Sequence, residues 1–125
     1  MKLLLDTHAL LWWLDDPATL SVAARDAITD PTNEVFVSAA VVWEIVIKSS
    51  LGKLSLPANL DAVIDKSGFR RLPIESKHVL AIAGLPAIHR DPFDRVLVAQ
   101  AIVEGATLMS RDPIVRQYPA PYLEA

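Results

Sequence analysis

Short apolar runs alternate with helix-like segments along the chain. Runs rich in Leu, Val and Phe, bounded by Asp, Gly or Pro, predict β-strands at residues 1–5, 34–38, 69–73 and 106–110, with a last edge strand at 119–123. Between them, helical spacing and capping residues predict helices at 9–14, 20–29, 39–51, 59–66, 75–84 and 91–101. This alternation predicts one three-layer α/β domain over residues 1–125, with a central, mainly parallel sheet of four to five short strands.

The start of the last long helix contains an acid in an unusual place. Asp91 can cap this helix, Pro92 suits its first position, and Asp94 falls in the first turn. At about 100° per residue, Asp94 shares a face with Val98 and Ala101, which are apolar. An acid on an apolar face needs a partner or a ligand.

Composition narrows the classes of function that remain. The chain has 125 residues, is 52% hydrophobic, contains no cysteine and carries a formal charge of -3. The absence of cysteine excludes disulfides, thiolate chemistry and cysteine-based zinc sites. Because the charge is negative, binding of nucleic acid would require a local basic patch or a bound cation. No apolar run approaches the roughly 18 residues that span a bilayer, so we expect a cytoplasmic protein with no membrane contact.

Four acids are the candidates for chemistry. Asp6 and Asp112 follow predicted strands, while Glu44 and Asp94 lie in the first halves of predicted helices. Because the carboxyl ends of parallel strands meet at one edge of a sheet, we expect the four side chains to lie close together.

Each acid also has a purely structural explanation. Asp6 could cap the first helix, and Glu44 could pair with Lys48 one turn later, although its apolar helix predicts a partly buried carboxylate. Asp-Pro occurs four times in the chain, so the dipeptide is weak evidence for chemistry at Asp112. The same argument favours a cap rather than a ligand at Asp91.

Electrostatics limit how such a cluster can exist. Two carboxylates about 5 Å apart repel by roughly 3 kcal/mol at an effective dielectric constant near 20. The cluster must therefore hold protons or a cation, and oxygen ligands favour Mg²⁺ or Mn²⁺ over zinc or copper. The histidines (His8, His78 and His89) lack a metal-ligand spacing, and Trp43 is expected to pack in the core. Nearby basic residues could hold phosphates or neutralise the acids: Lys48, Arg90, Arg95, Arg111 and Arg116.

Four segments in this order resemble a known family. They are Leu3-Leu4-Leu5-Asp6-Thr7-His8-Ala9-Leu10-Leu11-Trp12, residues 38–51 with Glu44, Asp91-Pro92-Phe93-Asp94-Arg95, and Ser110-Arg111-Asp112-Pro113. Together they resemble PIN-domain ribonucleases of the VapC-like toxin class, and the resemblance covers nearly the whole chain.

This resemblance implies a single PIN-like domain and a specific chemistry. It implies a metal-dependent endoribonuclease that hydrolyses RNA phosphodiester bonds, with Mg²⁺ or Mn²⁺ held by Asp6, Glu44, Asp94 and Asp112. Asp91 is the alternative to Asp112 as the last acid of the set. The resemblance also implies a homodimer that is neutralised by a cognate antitoxin protein.

Two other functions compete with this one. The same fold could be a non-catalytic interaction module in which the acids serve as caps and ion pairs. It could also be a phosphoryl-accepting α/β domain that uses Asp6, although Asp6-Thr7-His8 lacks the second nearby acid expected of a phosphatase loop.

Overall fold

The computed structural model describes all residues 1–125 and contains one five-stranded sheet. The strands are all parallel and lie in the order β3-β2-β1-β4-β5. Their bounds are Lys2–Leu5 (β1), Glu34–Ser38 (β2), Arg70–Leu72 (β3), Thr107–Ser110 (β4) and Tyr122–Glu124 (β5). The predicted parallel α/β architecture is confirmed, and the last edge strand begins three residues later than predicted.

Six α-helices cover the two faces of the sheet. They are Thr7–Asp15 (α1), Val22–Thr29 (α2), Ala39–Ser50 (α3), Leu60–Lys66 (α4), Ser76–Ile82 (α5) and Pro92–Glu104 (α6). Side-chain caps start three of the predicted helices: Ser21 accepts from Ala24 N, Ser38 from Ala40 N, and Asp91 from Phe93 N. Gly105 ends α6 in the left-handed conformation that glycine adopts without strain, with φ of 65°.

The core lies around β1 at the centre of the sheet. Leu3, Leu4 and Leu5 are fully buried, because both faces of the central strand are covered. Leu97 and Val98 of α6 are buried in the same cluster. Burial of such side chains stabilises the fold by about 1.5 to 3 kcal/mol each. The packing therefore holds β1 and α6 in place, and both carry candidate acids.

Two features at the periphery differ from expectation. β3 spans only Arg70–Leu72, and Arg71 on this edge strand binds Asp61 and Asp65, at 2.8 and 3.1 Å. Trp43 is 56% exposed, so the expectation that it packs in the core was wrong. Its helix is apolar nearly all round and offers more apolar surface than the domain can cover.

No helix has the length and apolar character required to cross a membrane.

Candidate active site

A cavity of about 250 Å³ opens where β1 and β4 end side by side. All four predicted acids line it, and Asp91 joins them. The complete lining is Asp6, Thr7, His8, Trp12, Glu44, Lys48, His89, Asp91, Asp94, Arg111 and Asp112. The fold thus gathers residues from both ends of the chain at one edge of the sheet.

Asp6 caps a helix and also lines the cavity. It follows β1, where its backbone N–H donates to Met109 O at 3.0 Å, and its carboxylate caps α1 by accepting from Ala9 N at 2.8 Å. The side chain is nevertheless in the cavity wall, with only 8% of the residue exposed. Burial raises the pKa of Asp6, and the hydrogen bond from Ala9 offsets only part of this effect. The cap and the candidate ligand are the same group.

Glu44 has the buried partner that its apolar helix predicts. It is 4% exposed, it accepts a hydrogen bond from Thr7 Oγ1, and Lys48 Nζ lies 2.6 Å from its Oε2. The hydrogen bond to Glu44 raises the pKa of Lys48. Glu44 is therefore held by a hydroxyl and an ammonium group, both of which line the cavity.

Asp94 is the acid with the most perturbed environment. Burial, together with the charges of Asp91 and Glu44, raises its pKa from 3.8 to about 7. A helix N-terminus stabilises an anion by about 0.3 to 1 kcal/mol, which would lower the pKa. Here burial and neighbouring acids outweigh the helix dipole.

Asp91 caps α6, as predicted. Its Oδ1 accepts from Phe93 N at 2.8 Å and from Asp94 N at 3.4 Å. Because it also lines the cavity, its charge acts on Asp94 even though its oxygens serve the helix.

Asp112 both caps a helical turn and lies in the cavity wall. It accepts from Ile114 N at 2.8 Å through Oδ1 and reaches His89 through Oδ2.

His89 is the site residue that the sequence did not reveal. Its Nε2 lies 2.9 Å from Asp94 Oδ2 and 3.3 Å from Asp112 Oδ2. The ring's Nδ1 accepts from Asp91 N at 3.3 Å, which assigns the proton of the neutral ring to Nε2 and makes Nε2 a donor. The ligand atoms of the three groups lie within 4.8 Å of one another, so the two carboxylates could hold one ion while the protonated Nε2 donates to them. The sequence signal that could have revealed His89 is its position two residues before Asp91, the cap of α6, rather than a metal-ligand spacing between histidines.

Of the five basic residues near the acids, the exposed Arg90 is not part of the cavity wall, and the other four separate into two groups. Lys48 and Arg111 line the cavity. Arg95 instead donates to backbone carbonyls of Ile82 and Pro86, and Arg116 lies 5.7 Å from the Tyr122 ring. Only Lys48 and Arg111 are therefore placed to meet a phosphate in the cavity.

The donor set fits a hard divalent cation. The cavity brings together five carboxylates, of which Asp6 and Asp94 have raised pKa values, so removal of water and mutual repulsion already oppose their ionisation. A cation relieves both effects, and oxygen ligands suit Mg²⁺ or Mn²⁺.

Comparisons with known proteins agree with this geometry. The chain is similar to ribonuclease VapC22 of Mycobacterium tuberculosis (strain ATCC 25618 / H37Rv), with 28% identity over 121 residues, 94% of this chain and 92% of the relative. The fold resembles VapBC2 from Rickettsia felis bound to a promoter DNA fragment, with a TM-score of 0.76, 14% identity, and coverage of 100% of this chain and 99% of that chain. It also resembles DNA-bound VapBC from Salmonella typhimurium, with a TM-score of 0.73, 14% identity, and coverage of 99% and 98%.

The family model of the PIN domain matches residues 3–121. This range includes Asp6 and all the other acids of the cavity. The resemblance drawn from the four sequence segments is confirmed: the chain belongs to the PIN domain family.

Proposed function

We propose that this protein is a metal-dependent endoribonuclease that acts as the toxin of a toxin–antitoxin pair. The observation that carries the proposal is the meeting of Asp6, Glu44, Asp94 and Asp112 in one cavity of a PIN-family chain. The similarity to a ribonuclease over 94% of the chain supports RNA as the substrate.

The four acids are the proposed holders of Mg²⁺ or Mn²⁺. When bound, such an ion activates water and stabilises charge on the attacking and leaving oxygens of a phosphodiester. Because its pKa is about 7, Asp94 is partly protonated at neutral pH, and this proton must leave before the group can serve as an anionic ligand. Metal binding is therefore expected to release a proton near neutral pH.

The remaining cavity residues orient the acids and the substrate. Thr7 and Lys48 fix the two oxygens of Glu44, so this carboxylate has one orientation. His89 donates towards Asp94 and Asp112, which lie on different elements, and so sets their separation. Arg111 supplies a second positive charge, besides Lys48, in a cavity lined by five carboxylates.

The decisive experiment is cleavage of a single-stranded RNA by purified protein. Wild type is expected to cleave with Mg²⁺ or Mn²⁺ and to lose cleavage in EDTA. Asp94→Asn is expected to fold and to lose at least about 100-fold in kcat. Asp61→Asn, an exposed acid on α4 outside the cavity, is the matched control and should cleave normally. Cleavage that survives both EDTA and Asp94→Asn would exclude the proposed chemistry.

The competing function is a non-catalytic interaction module with the same fold. It is favoured by the hydrogen bonds of Asp6 and Asp112 to helix starts and by the Glu44–Lys48 ion pair. It predicts that Mn²⁺ leaves the melting temperature unchanged. The raised pKa of Asp94 argues against it, because a structural acid gains nothing from this environment.

We also propose an antitoxin and a second copy of the chain as partners. The VapBC structures that share this fold support the first. Exposed apolar side chains on α3 and α5, which both pack on α6, support the second: Trp43, Val46, Val79 and Leu80.

A mass measurement in solution tests the dimer. Leu80→Lys should yield a monomer, whereas Val22→Lys, at an exposed apolar site on α2, should not. A wild-type monomer at micromolar concentration contradicts the proposed dimer and leaves the proposed chemistry unaffected.

A further inference from the structure

One apolar side chain, Trp12, interrupts the polar wall of the acidic cavity. The ring centroid of Trp12 lies 5.6 Å from that of His8, with 31° between the planes. The guanidinium carbon of Arg111 lies 4.1 Å from the Trp12 ring centroid. His8 and Arg111 are exposed and Trp12 is half-buried. Two rings and a cation are thus packed together at the mouth of the cavity.

Two hydrogen bonds to backbone carbonyls hold the Arg111 guanidinium in this arrangement. Its Nε donates to Ala125 O at 2.9 Å, and its Nη2 donates to Thr19 O at 2.6 Å. Neither bond uses Nη1, so one corner of the guanidinium remains for another acceptor. The ring surface therefore has a fixed positive charge beside it.

Charge alone is a poor source of affinity for RNA in this protein. The chain carries a net charge of -3, and five carboxylates line the cavity. Phosphates are repelled until a cation is bound, and a local cation offsets only part of the repulsion. Stacking of a base on an aromatic ring does not depend on charge, and every base has a face that can stack.

We infer that His8, supported by Trp12, stacks against an unpaired base next to the cleaved bond, and that Arg111 contacts the adjoining phosphate. This inference rests on the proposed ribonuclease function and assigns recognition of an unpaired base to His8. A base can reach the His8 ring only when it is free of its complement and unstacked. Duplex RNA presents its backbone to this surface and gains nothing from the rings.

Steady-state kinetics with substitutions at His8 test the stacking role. On a single-stranded RNA, His8→Ala and His8→Leu should raise KM at least about five-fold with kcat within about two-fold of wild type. His8→Phe should restore KM, because it returns a ring face. His8→Leu is the matched control, since it keeps apolar contact with Trp12 without a ring.

A structural role for the His8–Trp12 pair gives a different result. In that case His8→Leu and His8→Phe should have equal KM values, and the melting temperatures of the variants should differ from that of wild type instead. Equal KM values for His8→Leu and His8→Phe, or a loss confined to kcat, overturn the inference.

Binding without cleavage separates this inference from the proposed function. In an Asp94→Asn background, fluorescence anisotropy is measured with a single-stranded RNA, the same RNA with one abasic nucleotide at each position in turn, and its duplex. One abasic position should weaken binding to the His8 protein at least about five-fold and have no effect on the His8→Ala protein. The duplex should bind more weakly than the single strand.

The outcomes distinguish the two failures. Base-dependent binding through His8 without any cleavage by wild type refutes the nuclease and leaves the stacking surface intact. Cleavage by wild type with no abasic position that depends on His8 refutes the stacking surface and leaves the nuclease intact.

Discussion

The two ends of α6 carry the same chemical pair in opposite electrostatic states. At the N-terminal end, His89 Nε2 lies 2.9 Å from Asp94 Oδ2. At the C-terminal end, His78 Nε2 lies 2.7 Å from Glu104 Oε2. The pKa of Asp94 is raised to about 7, whereas the hydrogen bond from His78 lowers the pKa of Glu104. A carboxylate–histidine contact alone therefore does not set the charge of the acid.

The difference comes from what surrounds each pair. Glu104 has Lys77 Nζ at 3.2 Å and no other acid among the causes of its shift, and its side chain is 24% exposed. Asp94 has Asp91, Glu44 and Asp6 as neighbouring charges. Both shifts oppose the helix dipole, which favours anions at the N-terminus and disfavours them at the C-terminus. At one end of α6 the acid is paired with a lysine and a histidine, and at the other end five carboxylates share the positive charges of Lys48 and Arg111.

The largest expected effect is on the stability of the metal-free protein. Since the pKa of Asp94 is 3.8 in an unfolded chain and about 7 in the fold, the folded state binds this proton more tightly. Its contribution to the free energy of unfolding is therefore lost as pH rises from about 4 to about 7. Asp94→Asn should stabilise the protein more at pH 8 than at pH 4, by about 2 to 4 kcal/mol at roughly 1.4 kcal/mol per pKa unit.

Urea unfolding in EDTA at the two pH values measures this difference. Glu104→Gln is the comparison variant, since its shift has the opposite sign. An Asp94→Asn effect that is the same at both pH values would mean that the acid is not destabilised when ionised.

How far the sequence predicted these two ends depends on the distance of the contacts along the chain. The start of α6 was predictable, because Asp91 and Pro92 are local signals, and so was the gathering of Asp6 and Asp112 at the ends of parallel strands. The contacts of the histidines were not, because His89 lies in the loop before α6 and reaches Asp112 23 residues away, and His78 and Glu104 are 26 residues apart. Such contacts depend on where a loop or a neighbouring helix packs.

His89 provides the second test, since it is the only donor shared by Asp94 and Asp112 at this site. His89→Ala should lower the free energy of unfolding of the metal-free protein by about 1 to 2 kcal/mol at pH 8, because both carboxylates lose a hydrogen bond. Mn²⁺ affinity by titration calorimetry should stay within about three-fold of wild type or tighten, because Nε2 carries a proton and donates. His89→Gln keeps an amide donor, so its free energy of unfolding should lie between those of wild type and His89→Ala. A ten-fold weaker affinity in both variants would make the imidazole a ligand.

Asp91 allows the cap and the charge to be separated. Asp91→Ala should cost about 1 kcal/mol, because Phe93 N loses its acceptor, whereas Asp91→Asn should keep the cap. Asp91→Asn should also lower the pKa of Asp94, because it removes the neighbouring charge that acts on this acid most strongly. Unfolding curves and a carboxyl titration by NMR check the two effects. An unchanged pKa of Asp94 in Asp91→Asn would show that the charge of Asp91 does not contribute to the shift.

The smallest effect is expected at the C-terminal end of α6. Because the folded protein lowers the pKa of Glu104 below 4.5, this group stabilises the fold above that pH, and its contribution is lost as pH falls through and below 4.5. Glu104→Gln should therefore cost about 0.5 to 1 kcal/mol at pH 7, a range that allows for solvent screening, and less towards pH 4. Lys77→Gln is the control, and it should cost less, since the Lys77 side chain is 54% exposed while His78 is fully buried. If Glu104→Gln instead stabilised the protein as pH rose, as expected for Asp94→Asn, the two ends of α6 would be electrostatically alike, and the raised pKa of Asp94 would no longer single out the cavity.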